Sequence, residues 1–68
     1  MKQRFFEQYE IFRSTKCSLI LINKQTNKKV FISHRSFNLL DKATDMREVE
    51  IETERGKFLW VEIATWQR

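Results

Sequence analysis

The chain has 68 residues, enough for one domain with a modest hydrophobic core. Its aromatic content of 13% and hydrophobic content of 41% exclude a disordered protein, and its single cysteine excludes an internal disulfide and a multi-cysteine zinc site. The net charge of +4 is unevenly spread, because residues 1–35 are basic and residues 36–68 are slightly acidic. One thiol without a disulfide framework is typical of a reducing compartment, so we expect a cytoplasmic protein.

The start of the chain carries charges where a signal peptide would carry an apolar run, so no signal peptide is predicted. The longest apolar run, residues 19–22, is too short to cross a bilayer. We therefore expect no membrane association.

The N-terminal segment allows two interpretations. Phe5, Tyr9 and Phe12 recur at i, i+4 and i+7, which predicts a helix over residues 2–13. The alternative is a strand with Tyr9 and Ile11 on one face, but Phe12 then falls on the other face. The helix accounts for all three aromatic residues, and we favour it.

Two strands are predicted next, over residues 17–23 and 29–33. The first is apolar on both faces at residues 19–22, as expected of a central strand, and the second is similar. The residues between them predict a turn in which Asn27 can take the left-handed conformation.

A short helix is predicted over residues 33–44. Phe37, Leu40 and Ala43 recur at helical spacing, and either Ser33 or Ser36 can cap the N-terminus.

The last two predicted strands, residues 48–54 and 57–65, form a hairpin around a turn at Arg55-Gly56. Along each strand, aliphatic side chains alternate with polar or aromatic ones. A two-residue loop would set Glu50 opposite Val61, in the core. A three-residue loop over residues 54–56 avoids that burial cost and uses Gly56 in the left-handed conformation. The three-residue loop is therefore predicted.

In that register Phe58 and Trp60 share a strand face with Glu48, Glu50 and Glu52. The element order is α-β-β-α-β-β. We predict a small single α+β domain, residues 1–68, in which an antiparallel four-stranded sheet of two hairpins packs against one or two short helices.

No residue pattern indicates catalysis, a metal site or a cofactor. Cys17 is expected to be a buried, inert thiol and His34 a surface residue in the first turn of its helix. Alternate glutamates on a strand stand about 6–7 Å apart, a spacing that suits neither a calcium cage nor a shared proton. A chain with one glycine also lacks a phosphate-binding loop. We expect a protein that is not an enzyme and has no small-molecule substrate.

The aromatic residues near the C-terminus are the strongest candidates for partner binding. Phe58, Trp60 and Trp66 are predicted anchors, and Glu50 and Glu52 a rim that selects a basic partner surface or the basic half of a second copy. The alternative is that the N-terminal helix folds over Phe58 and Trp60 and turns them into ordinary core.

The basic first half carries the competing hypothesis. Its cations would follow a phosphate backbone if the fold brought them together, although stacking of bases would need exposed aromatic rings beside them. The candidate nucleic-acid contacts are Arg13, Lys16, Lys24, Lys28, Lys29 and Arg35.

The leading hypothesis is a small interaction protein that binds a larger protein, or a second copy of itself, and regulates or inhibits it. Small accessory proteins of bacteria and phages work in this way. A nucleic-acid-binding regulator is the alternative.

Overall fold

The computed structural model describes residues 2–65 and contains a five-stranded sheet with two short α-helices. The α+β class is confirmed. The elements in chain order are α1 (Lys2–Gln8), β1 (Tyr9–Ser14), β2 (Ser18–Asn23), β3 (Lys29–Ser33), α2 (His34–Asn38), a 3-10 helix (Leu40–Lys42), β4 (Asp45–Thr53) and β5 (Gly56–Ala64). Within residues 2–65 no helix has the length and apolar character needed to cross a bilayer.

The sheet is mixed, with the strand order β1-β2-β3-β5-β4. β3 and β5 run parallel and the other neighbouring strands run antiparallel. The predicted four-stranded antiparallel sheet was therefore wrong in strand number and in one pairing. Each hairpin is specified by its own short turn, but nothing in the turns determines which edge of one hairpin meets the other.

One face of the sheet, the inner face, carries the hydrophobic core. Both α-helices and the 3-10 helix lie on this side, since Phe5 and Leu40 belong to its cluster and Phe37 packs against it. Phe5 and Leu40 are completely buried. The strands contribute the rest of the buried core, which comprises Tyr9, Leu19, Leu21, Val30, Ile32, Met46 and Val61.

The N-terminal segment is half helix and half strand, so the predicted helix over residues 2–13 was wrong beyond Gln8. Tyr9 pairs with Asn23 and Glu10 with Ile22, which gives β2 a second neighbour. Residues 9–14 pair with β2 and do not continue the helix that the aromatic spacing predicts, because a central strand must satisfy its backbone groups on both edges. Phe12 consequently points away from the core and is 60% exposed.

The middle of the chain follows the sequence prediction closely. β3 has the predicted bounds, and Asn27 has a positive φ of 62° in the turn before it. Ser33 caps α2, because its hydroxyl accepts a hydrogen bond from the Ser36 backbone N–H at 3.1 Å. The predicted helix over residues 33–44 is shorter than expected and ends in the 3-10 turn.

The β4–β5 hairpin has a different register from the predicted one. Thr53 pairs with Gly56 across a loop of Glu54 and Arg55, which sets Glu50 opposite Leu59 and Glu48 opposite Val61. The burial cost that argued against carboxylates on this face does not arise, because Glu48, Glu50 and Glu52 all remain exposed. The helices pack mainly on β1 and β3, so the end of the hairpin that carries Glu50 and Glu52 stays in water.

Glu48 accepts hydrogen bonds from side chains on β1 and β2. Its carboxylate accepts a hydrogen bond from the Tyr9 hydroxyl and a second, at 2.8 Å, from the Asn23 side-chain amide. Tyr9 and Asn23 are both buried, so Glu48 satisfies polar groups that would otherwise lack a partner.

We expect Glu48→Ala to lower the free energy of unfolding by about 1.5–3 kcal/mol, since it removes an ionised acceptor from two buried donors. Urea unfolding followed by tryptophan fluorescence measures the change. Glu50→Ala is the matched control, because within residues 2–65 the contact found for Glu50 is an exposed one with Lys57 at 3.8 Å, and its loss should cost less than about 0.5 kcal/mol. Equal losses in the two variants would contradict the register.

Candidate functional site

The second face of the sheet, here called the aromatic face, is largely apolar. Ile20 pairs with Phe31, Phe31 with Trp60, and Trp60 with Val49, so these side chains form one row across β2, β3, β5 and β4. A second row carries Ile22 on β2, Lys29 on β3 and the paired residues Phe58 and Ile51. The aromatic face is defined by Ile20, Ile22, Phe31, Val49, Ile51, Phe58 and Trp60.

The three aromatic rings pack on one another at the centre of this face. The ring centroids of Phe31 and Phe58 are 5.6 Å apart in an edge-to-face contact, and those of Phe31 and Trp60 are 5.5 Å apart with a tilt of 32°. Such contacts hold each ring in place before any partner arrives. A shallow depression of about 360 Å³ lies against the rings and is also bordered by Cys17, Ser18, Thr53 and Arg55.

The aromatic face contributes nothing to the hydrophobic core found in residues 2–65. Phe31, Phe58 and Trp60 are each half-buried, and Ile51 is 41% exposed. The predicted alternative, a helix folded over Phe58 and Trp60, was wrong, because α1 packs on the inner face. A contiguous apolar surface of this kind is uncommon on a monomeric domain and usually marks an interface.

The charges bordering the aromatic face are mainly positive. Arg13 pairs with Ile20 and Lys29 with Ile22, so both side chains share this face of the sheet. Lys29 places its Nζ 5.8 Å from the centroid of the Phe12 ring. Arg55 borders the depression.

The acidic residues of the hairpin lie elsewhere. Glu50 and Glu52 pair with Leu59 and Lys57 and therefore project from the inner face of the sheet. Glu62 does lie on the same side as Trp60, but the Arg47 guanidinium binds it at 3.0 Å.

The structure brings Phe58 and Trp60 together on one open face and separates them from the predicted rim. Glu50 and Glu52 are on the opposite side of the sheet, because the register differs from the predicted one. Trp66 lies outside the described residues.

Sequence reasoning missed Phe31 and its aliphatic neighbours as part of this surface. The signal was present in β2 and β3, which are apolar on both faces. That pattern predicted a central strand. With helices on one side only, a doubly apolar strand instead has one face open.

The six predicted nucleic-acid contacts do not form one patch. Arg13 and Lys29 share the aromatic face, whereas Arg35 lies on α2. Lys24 donates a hydrogen bond from Nζ to the Phe6 carbonyl oxygen at 2.8 Å. Lys16 and Lys28 are exposed in the connections on either side of β2.

Cys17 is exposed, so the expected buried thiol was wrong. The chain turns tightly just before β2, where the Thr15 backbone N–H donates to the Ser18 carbonyl at 2.8 Å, and Cys17 projects from this turn.

His34 is half-buried rather than a free surface residue, and its Nε2 lies 2.7 Å from the Thr15 carbonyl oxygen. It therefore ties the start of α2 to the same turn.

A second hollow, of about 300 Å³, lies between the start of β4 and the end of β5. Its lining includes the ion-paired Arg47 and Glu62, together with Met46 and Ile63. Among residues 2–65 no group of three or more histidine, cysteine or acidic side chains is placed to hold a metal ion. The aromatic face, rather than this hollow, is therefore the candidate site.

No protein-family model, curated protein or solved structure matches this chain. The aromatic face and the charges around it are therefore the basis for a functional proposal.

Proposed function

We propose that this protein is a non-enzymatic interaction module that docks a larger protein on its aromatic face and acts as an accessory regulator or inhibitor of that protein. The observation that supports the proposal is the row Ile20–Phe31–Trp60–Val49, an apolar surface to which neither helix contributes. Aromatic anchors held in place and surrounded by smaller side chains are typical of the energetic centre of a protein interface. We also propose a cytoplasmic location, based on the single unpaired thiol.

Nucleic-acid binding is the second candidate, and one observation favours it. Arg13 and Lys29 share a sheet face with Phe31 and Trp60, which combines the cations and rings that single-stranded nucleic acids bind. It ranks second because aliphatic residues occupy much of the face and provide no surface on which a base can stack.

We expect Trp60→Ala to raise the Kd for the partner at least about 30-fold, as removal of a central aromatic anchor typically does. The partner is first captured from a lysate of the source cells with tagged wild-type protein, after nuclease treatment, and is then purified for titration calorimetry. Phe58→Ala, which removes a second ring from the same cluster, should weaken binding in the same direction.

Phe6→Ala is the matched control, because Phe6 is also an exposed aromatic residue, at 41%, but lies on α1 and contacts Phe37. Circular dichroism of every variant checks that the fold is retained. The proposal would be contradicted if the Phe6→Ala variant failed to bind the partner while the Trp60→Ala variant still bound it. Partner retention that disappears with nuclease would favour the second candidate.

A further inference from the structure

The charges around the aromatic face specify the chemistry of the partner segment, an inference that rests on the proposed function. Arg13 and Arg55 border the face, and Lys29 lies within its second row beside Ile22. None of them takes part in the ion pairs formed within residues 2–65, which join Arg4 to Asp45, Arg47 to Glu62 and Lys57 to Glu50. These three cations carry no carboxylate partner within residues 2–65, although Lys29 also contacts the Phe12 ring.

Negative charge on the same side is largely neutralised or absent. Glu62 is bound by Arg47, and Glu50 and Glu52 project from the other face. The opposing charges are Glu10, beside Ile22 on the edge strand β1, and Glu54, which precedes Arg55 in the hairpin loop. The border of the aromatic face is therefore positive overall.

We propose that the aromatic face binds an acidic, amphipathic segment of the partner protein, in which aspartates or glutamates flank large apolar residues. The apolar side chains pack against Phe31, Phe58 and Trp60, and the carboxylates reach Arg13, Lys29 and Arg55. A basic partner is disfavoured, because like charges across an interface cost free energy. The sequence alone predicted the reverse polarity, since it placed a glutamate rim beside the anchors.

Two other occupants fit the face less well. A second copy would bring one positive border against another, in a protein whose net charge is already +4. A single-stranded nucleic acid satisfies the cations but leaves Ile20, Ile22 and Val49 facing a sugar-phosphate chain. An acidic amphipathic segment complements both the charge and the aliphatic part of the surface.

Selection from a random peptide library displayed on phage tests the inference. The full-length protein is the bait, and peptides that also bind the Trp60→Ala variant are removed. We expect the remaining peptides to be enriched in aspartate and glutamate beside aromatic or aliphatic residues. A fluorescent copy of the best peptide then gives Kd values by anisotropy.

Charge reversal supplies the second readout. The double variant Arg13→Glu/Lys29→Glu should bind the acidic peptide about tenfold more weakly, as expected for the loss and reversal of two partly exposed charge pairs. Arg35→Glu/Lys42→Glu makes the same change in net charge on α2 and the 3-10 helix and should change the Kd by less than about twofold. Added salt should weaken peptide binding to wild-type protein.

The possible results separate this inference from the proposed function. Trp60-dependent peptides without acidic enrichment, or equal weakening by the two double variants, would overturn the acidic preference and leave the aromatic face as a docking site. An absence of any Trp60-dependent peptide would overturn both. Tighter Trp60-dependent binding of fluorescent oligothymidylate than of any selected peptide would assign the face to nucleic acid.

Discussion

Phe5→Ala is expected to lower the free energy of unfolding by about 3–5 kcal/mol, the usual cost of deleting a fully buried aromatic side chain. Phe5 is 0% exposed and packs against Tyr9 and Phe37, with ring centroids 5.2 and 5.8 Å away. A domain of this size has a total stability of only about 3–10 kcal/mol, so the variant should be close to unfolding at room temperature. Urea unfolding monitored by circular dichroism measures the loss.

Phe12→Ala is the matched control, because Phe12 belonged to the same helical pattern in the sequence but is 60% exposed on β1. Its deletion should cost less than about 1 kcal/mol. Phe5→Leu, which retains most of the apolar volume, keeps the experiment informative if Phe5→Ala fails to fold. A loss at Phe12 as large as that at Phe5 would show that α1 continues through residue 12 and that the N-terminal strand is wrong.

Alkaline pH is expected to destabilise the protein through Tyr9. Burial of the side chain, the hydrogen bond that its hydroxyl donates to Glu48, and the negative charge of that carboxylate together raise the pKa of Tyr9 well above its usual value. Below about pH 10 the phenol is protonated in both the folded and unfolded chain, so its effect on stability is constant. Above that pH the unfolded chain loses a proton that the folded protein retains.

The free energy of unfolding should therefore fall by about 1.4 kcal/mol for each pH unit above about 10. Urea unfolding at a series of pH values up to the alkaline limit measures this slope. Tyr9→Phe has no phenol to ionise, so its slope should be smaller by that amount, although the variant is less stable at neutral pH because Glu48 loses a donor. Identical slopes in wild-type protein and Tyr9→Phe would refute the buried Tyr9–Glu48 contact.

Several features of the fold were predictable because they depend on short stretches of the chain. The bounds of β3, the positive φ of Asn27 and the cap of α2 by Ser33 all follow from a residue's own preference and its nearest neighbours. The presence of a C-terminal hairpin was equally visible, since strict alternation over two runs on either side of a glycine is typical of paired strands joined by a tight turn.

The register of that hairpin was not predictable by the same reasoning. We assumed that carboxylates opposite Leu59 and Val61 would be buried, which is true only if the core extends along the whole strand. The core instead covers Val61 and Met46 and leaves Glu50 and Glu52 in water. The extent of the core depends on where the helices pack, and that information is spread over the entire chain.

The candidate site was also only partly predictable, because it depends on contacts spread over the entire chain. Alternation along β5 places Phe58 and Trp60 on one side of a strand, and this was evident from the sequence. Their neighbours on that side, Phe31 and Ile20, come from other strands and are set by the parallel β3–β5 pairing. The sign of the surrounding charge also changed, because the register moved the glutamates to the inner face.

The α+β class, most of the strands and the presence of unusually placed aromatic residues could therefore be predicted from the sequence. Three features depended on the three-dimensional fold: that β1 is a strand, that β3 and β5 are neighbours, and that residues 2–65 leave the aromatic face uncovered with cations around it. The physical reason is the range of the interactions. Turns, caps and alternation are local, whereas strand pairing and helix docking distribute the available hydrogen bonds and apolar surface over residues far apart in the chain.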